Sequence, residues 1–103
     1  MAKLIVVYWR DIPAQVITKR GRESIKVPLP QRFQVAIDRA ALRAGKGTSN
    51  AYLAEWRRES RPCGDDLSAE AQAEARRLEE RFPEAELERV VKAGGIAGKT
   101  VPG

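Results

Sequence analysis

A chain of 103 residues fits one domain, and 43% apolar residues can build a core that folds without metal or disulfide support. The single cysteine, Cys63, excludes an internal disulfide and so a disulfide-stapled secreted scaffold, while the absence of histidine removes the commonest general base and metal ligand. The net charge of +5 conceals a polarity: residues 1–62 carry 13 Lys/Arg against 5 Asp/Glu, and residues 63–93 carry 5 against 9.

Such an asymmetry can serve an anionic partner, or it can be neutralised when the acidic helices fold back on the basic part. The opening run Leu4-Ile5-Val6-Val7-Tyr8-Trp9 is broken by Arg10 and Asp11 far short of a membrane span, and no cleavage-site pattern follows. It is therefore read as fold rather than address, and the cytoplasm is the expected compartment.

That run has no polar face before Arg10 and predicts a central strand covered on both sides, ending before Pro13. Ala14–Lys19 and Glu23–Val27 flank the turn Arg20-Gly21-Arg22 and predict a hairpin, with Val16 and Thr18 on one face and Gln15, Ile17 and Lys19 on the other. Pro28-Leu29-Pro30 breaks the sheet and introduces a helix to about Ala44, whose buried stripe is Phe33, Ile37, Ala40, Ala41 and Ala44. Gly45 suits its C-terminal cap, and residues 45–50 read as a connector.

Residues 51–59 fit two periods. As a strand they put Tyr52, Ala54, Trp56 and Arg58 on one face, and as a helix they stack Tyr52 on Trp56; the aromatics and the strand-length run favour the strand. Arg61-Pro62-Cys63-Gly64 then turns the chain. Ser68 is the expected N-cap of a helix with Leu67, Ala71, Ala75, Leu78 and Phe82 on one face, and Pro83 separates it from a shorter helix, Glu84–Lys92, burying Leu87, Val90 and Val91. The expected organisation is one α+β domain over residues 1–93, a small mostly antiparallel sheet of three or four strands under two or three helices, with 94–103 as a flexible tail.

The residues that could carry chemistry are few. Trp9, Arg10 and Asp11 resemble Glu55, Trp56 and Arg57 in kind, and adjacency of their strands would gather indoles and guanidiniums into a patch for a protein partner or an anion. The alternative packs both tryptophans into the core and pairs the arginines internally. Lys19, Arg20 and Arg22 form a basic hairpin tip able to touch phosphate, although a charged turn also serves any soluble hairpin. Cys63 precedes a helix start, where a thiol can be activated, but Asp65 and Asp66 oppose a thiolate and no histidine can serve as base. No metal set, cofactor motif or acid–base pair is present in the pattern, which argues against an enzyme.

Tyr8-Trp9-Arg10-Asp11-Ile12-Pro13-Ala14-Gln15-Val16, with Ala54-Glu55-Trp56 and Pro62-Cys63-Gly64-Asp65-Asp66 downstream, resembles the small bacterial virulence factor family, and is similar to the C-terminal domain of conserved virulence factor C. The likeness spans most of residues 3–92. It implies no reaction and transfers no catalytic residue. It implies instead an accessory protein, with folate and corrinoid methyl-transfer enzymes as companions; nucleic-acid or anion binding by the basic N-terminal part is the alternative.

Overall fold

The computed structural model describes residues 1–96. In chain order the elements are β1 (Lys3–Trp9), β2 (Ile12–Arg20), β3 (Glu23–Pro28), α1 (Gln31–Arg43), α2 (Ser49–Leu53), β4 (Trp56–Pro62), α3 (Leu67–Arg81) and α4 (Glu84–Lys92). The strands form one antiparallel sheet in the order β3-β2-β1-β4, so the α+β expectation holds and the apolar N-terminal run is a central strand. Part of the expected tail, residues 97–103, lies outside the described residues. Gly94 and Gly95 are buried, and Asp11 N–H donates to the Gly95 carbonyl at 2.9 Å.

Pro13 does not end the first strand but lies inside β2. The β1–β2 register shifts between Val7 and Tyr8, where Tyr8 pairs with Pro13, and β3 pairs with β2 only from Gln15 onward. The proline thus falls at a bulge, where its missing N–H costs no ladder bond. The turn itself is Arg10-Asp11, and Arg10 takes φ 53, a left-handed conformation unusual for a residue with a side chain.

One contiguous core joins Leu4, Val6, Trp9, Ile12 and Val16 of the sheet to Phe33, Ile37 and Ala40 of α1, Ala71, Ala75 and Leu78 of α3, and Leu87, Val90 and Val91 of α4. The predicted helical stripes are therefore the buried ones; Ala44 alone is half-buried, as the C-cap of α1. Thr18 is fully buried on the same sheet face and donates its hydroxyl to the Leu67 carbonyl at 2.9 Å, which ties β2 to the start of α3. A buried hydroxyl left unpaired would be destabilising there.

The opposite sheet face departs from expectation. Strand alternation and register place Lys3, Ile5 and Val7 of β1 with Gln15, Ile17 and Lys19 of β2, Ser24 and Lys26 of β3, and Arg58 and Ser60 of β4. Ile5 and Ile17 are cross-strand partners only 7% and 5% exposed, yet both lie outside the core cluster, and Tyr52 of α2 meets this face at its Trp9–Trp56 end. The double cover predicted for β1 is thus met by α1, α3 and α4 on one side and, among the described residues, by a helix on the other only at the Trp9 end, where Tyr52 of α2 stacks on the indole. On the other, the apolar pair sits among long basic side chains whose stems can lie over it.

Three further expectations are corrected. Residues 51–59 are neither all strand nor all helix: α2 ends at Leu53 and β4 begins at Trp56, because the chain must turn before it can pair with β1. Arg61 and Pro62 belong to β4 rather than to a turn, and Cys63 N–H still reaches the Ala2 carbonyl at 3.2 Å. The N-cap of α3 is Asp66, whose carboxylate accepts from Ala69 N–H at 3.1 Å; Ser68 falls inside the first turn and instead accepts from Gln72.

Candidate functional site

Trp9 and Trp56 are Cα partners across β1 and β4, so the sheet brings the two aromatic-basic clusters to the same end. Alternation then divides them. Trp9 and Trp56 share one face, whereas Arg57, opposite Tyr8, points to the other.

On the first face the cluster is structural. Trp9 has 0% exposure, and its indole N–H donates to the Tyr52 carbonyl at 2.8 Å while the two rings stack at 5.8 Å. Tyr52 in turn meets the half-buried Trp56 edge-on, also at 5.8 Å. Arg10 lies over the Trp9 ring and donates to the Gly94 carbonyl at 3.0 Å and to the Glu55 carboxylate at 3.4 Å, while its own backbone N–H donates to the Glu55 carbonyl at 3.1 Å. Lys46 approaches the same carboxylate at 3.3 Å. The Arg10 hydrogen bond, helped by Lys46, holds the Glu55 carboxyl below its ordinary pKa. These contacts fasten the left-handed turn to the chain on either side of it.

On the second face the arrangement is open. Arg57 lies 4.5 Å above the Tyr8 ring, donates to the Arg10 carbonyl at 2.8 Å and to Asp11 at 3.0 Å, and pairs with Glu59. Beyond it a cleft of about 340 Å³ is lined by Tyr8, Asp11, Arg57, Glu59, Arg81, Phe82, Glu86 and Arg89. Three guanidiniums and three carboxylates surround one phenol. Burial, then the nearby Glu59 charge, pushes the Tyr8 phenol above its usual pKa, so it remains a neutral hydrogen-bonding group. The Arg89 hydrogen bond holds the Glu86 carboxyl below its ordinary pKa, so it is an anion at neutral pH. Sequence reading named Asp11 and Arg57 but missed Tyr8, Glu59, Arg81, Glu86 and Arg89, the last three because they come from the end of α3 and from α4.

The remaining candidates separate. Arg20 at the hairpin tip pairs with Glu23 at 3.1 Å and approaches Asp65 at 3.9 Å, whereas Lys19 and Arg22 are exposed. Lys19 belongs with Lys3, Lys26 and Arg58 on the Ile5–Ile17 face; the signal for that grouping was the two-residue period of four separate strands. The half-buried Cys63 thiol is pushed up by burial and then by Glu70, the opposite of activation. Among the described residues no three His, Cys, Asp or Glu side chains gather as a metal site, and no helix is long and apolar enough to cross a membrane.

Neither curated proteins nor solved structures show a match to the chain. The family described as "Virulence factor" matches residues 7–91, a span that holds most of the sheet, α1, α3 and the cleft, and on that match the chain belongs to the virulence factor family.

Proposed function

We propose that this domain is a non-enzymatic accessory module that binds a partner protein through the cleft between β4 and α4. The observation that carries the reading is the set of paired, pre-positioned charges around Tyr8: Arg57 with Asp11 and Glu59, and Arg89 with Glu86. Charges fixed before binding lose little freedom on association, and alternating signs select a partner by complementarity rather than by bulk attraction. Catalysis fits the cleft poorly. A carboxylate held low by a guanidinium is a weak general base, and a phenol with a raised pKa is a weak acid.

Family resemblance supplies the partner class, enzymes of folate and corrinoid methyl transfer. Trp9 and Arg10 take no part in this contact, since both are committed to the fold; Asp11, Arg57 and the rim of Trp56 remain at the surface. The test is affinity capture from native lysate with the wild type and with Arg81→Glu plus Arg89→Glu, which reverses two exposed cleft charges. Recovery of methyl-transfer enzymes by the wild type alone supports the reading. Equal recovery with both baits overturns it.

A further inference from the structure

A second surface carries an inference independent of the cleft. Away from its Trp9–Trp56 end, the Ile5–Ile17 face of the sheet presents Lys3, Lys19, Lys26 and Arg58, all exposed, none with a hydrogen bond or ion pair from its side chain among the described residues. Register sets Lys3 directly opposite Lys19, and places no carboxylate on that face among the residues paired with β1 and β2. Elsewhere Arg39 is answered by Glu88, Arg61 and Arg77 by Glu74 and Arg20 by Glu23, while the exposed Arg22, Arg76 and Lys92 stand singly on a turn, α3 and α4 rather than together on one face. Like charges directly opposite on neighbouring strands are destabilising, so the fold gains nothing from this arrangement.

From this we infer that the face binds the phosphate backbone of single-stranded nucleic acid. The four cations come from all four strands, and at about 4.8 Å per strand they spread over roughly 15 Å, enough for several consecutive phosphates. Three of the four are lysines, compact charges that need no particular ligand geometry. An acidic protein fits less well, because Ile5 and Ile17 at the centre are 7% and 5% exposed and leave little apolar surface for the desolvated anchor that such interfaces use. Duplex fits less well also, since nothing on a flat sheet face projects far enough to enter a groove. The aromatics at one end of this face are already engaged, Trp9 wholly buried and Trp56 half-buried with both rings against Tyr52, so bases find no free ring to stack on and the contact is independent of base sequence.

The test uses the full chain and fluorescently labelled single-stranded oligo-dT and oligo-dA of about 20 nucleotides, read by anisotropy across a salt series. Binding in the range of about 10⁻⁴ to 10⁻⁶ M at low salt is expected, similar for both oligomers. The slope of log K against log salt should shrink by about 0.7 for each cation removed in Lys3→Gln, Lys19→Gln, Lys26→Gln and Arg58→Gln. Arg20→Gln, and the cleft variant Arg81→Glu plus Arg89→Glu, should leave the slope unchanged. Circular dichroism of the quadruple variant separates lost binding from lost fold, and the single variants supply the slope where the quadruple one fails to fold. Absence of binding at low salt, an unchanged slope in the face variants, or equal affinity for polyglutamate of the same charge would overturn the inference. Because the cleft and the face are changed by different substitutions, failure of one leaves the other standing.

Discussion

The indole N–H of Trp9 donates to the backbone carbonyl of Tyr52 at 2.8 Å, joining the end of the central strand to a five-residue helix 43 positions away in the chain. A helix so short does not hold itself together. Its place is fixed by this bond and by the Trp9–Tyr52–Trp56 ring contacts, which also align β4 for pairing with β1.

Trp9 is accordingly the side chain whose truncation should cost most. Trp9→Ala should destabilise by about 3–5 kcal/mol, in the range for large buried aromatics. Trp9→Phe keeps most of the volume and removes only the indole donor, leaving the Tyr52 carbonyl to backbone donors such as Glu55 N–H, and should lose less. Urea denaturation of both variants checks the order; equal stability of Trp9→Ala and wild type would remove the indole from the core.

Gly95 has φ +95, and a Cβ placed there would stand 2.9 Å from the Trp9 ring. Gly95→Ala therefore combines backbone strain with a clash against a side chain that cannot move, and a clear fall in Tm is expected. Gly21→Ala is the control: its φ is +60, but nothing lies within 4 Å of the added carbon, so only the backbone term applies.

Acid should loosen the turn through Glu55. Its folded pKa lies below the unfolded value of about 4.3, so its contribution is fully present above that value and is lost as pH falls through the folded pKa. Glu55→Gln should lower Tm at neutral pH, and the difference from wild type should close on acidification below about pH 4. A gap that persists at low pH would mean that the side chain acts through packing instead of charge.

Thr18→Val keeps the shape of a fully buried side chain and removes its one donor to the Leu67 carbonyl. A loss of about 1 kcal/mol is expected, and hydrogen exchange at the start of α3 should quicken with it. Exchange unchanged there would show that β2 and α3 are held by apolar contact alone.

Cys63 should alkylate slowly. Burial and the Glu70 charge raise its pKa, so iodoacetamide should react at neutral pH more slowly than with a free cysteine, and the rate should climb on the alkaline side. A neutral-pH rate above that of free cysteine would reinstate a reactive thiol.

The two faces of β4 show how far a sequence reading reaches. Recognising Trp9-Arg10-Asp11 and Glu55-Trp56-Arg57 as related clusters was sound, since their strands are neighbours. Their convergence on one patch failed for a local reason: adjacent residues in a strand point to opposite faces, so Trp56 joins the covered aromatic cluster while Arg57 joins the cleft. Placing residues 51–59 in one element failed for a non-local one. Tyr52 is helical because Trp9 and α1 receive it there, and no five-residue pattern encodes that neighbour.

The sequence alone determined the α+β class, the central place of β1, the buried stripes of α1, α3 and α4, and the two faces of β2, because each follows from a period of 2 or 3.6 in apolar side chains that must leave water. Only the tertiary structure decided which charges are answered. Whether Arg10 is a strut, Arg57 a wall of the cleft, or Lys3, Lys19, Lys26 and Arg58 an unpaired field depends on strand order, one bulge and pairings across the length of the chain, and Coulomb interaction depends on distance in space, which periodicity does not contain.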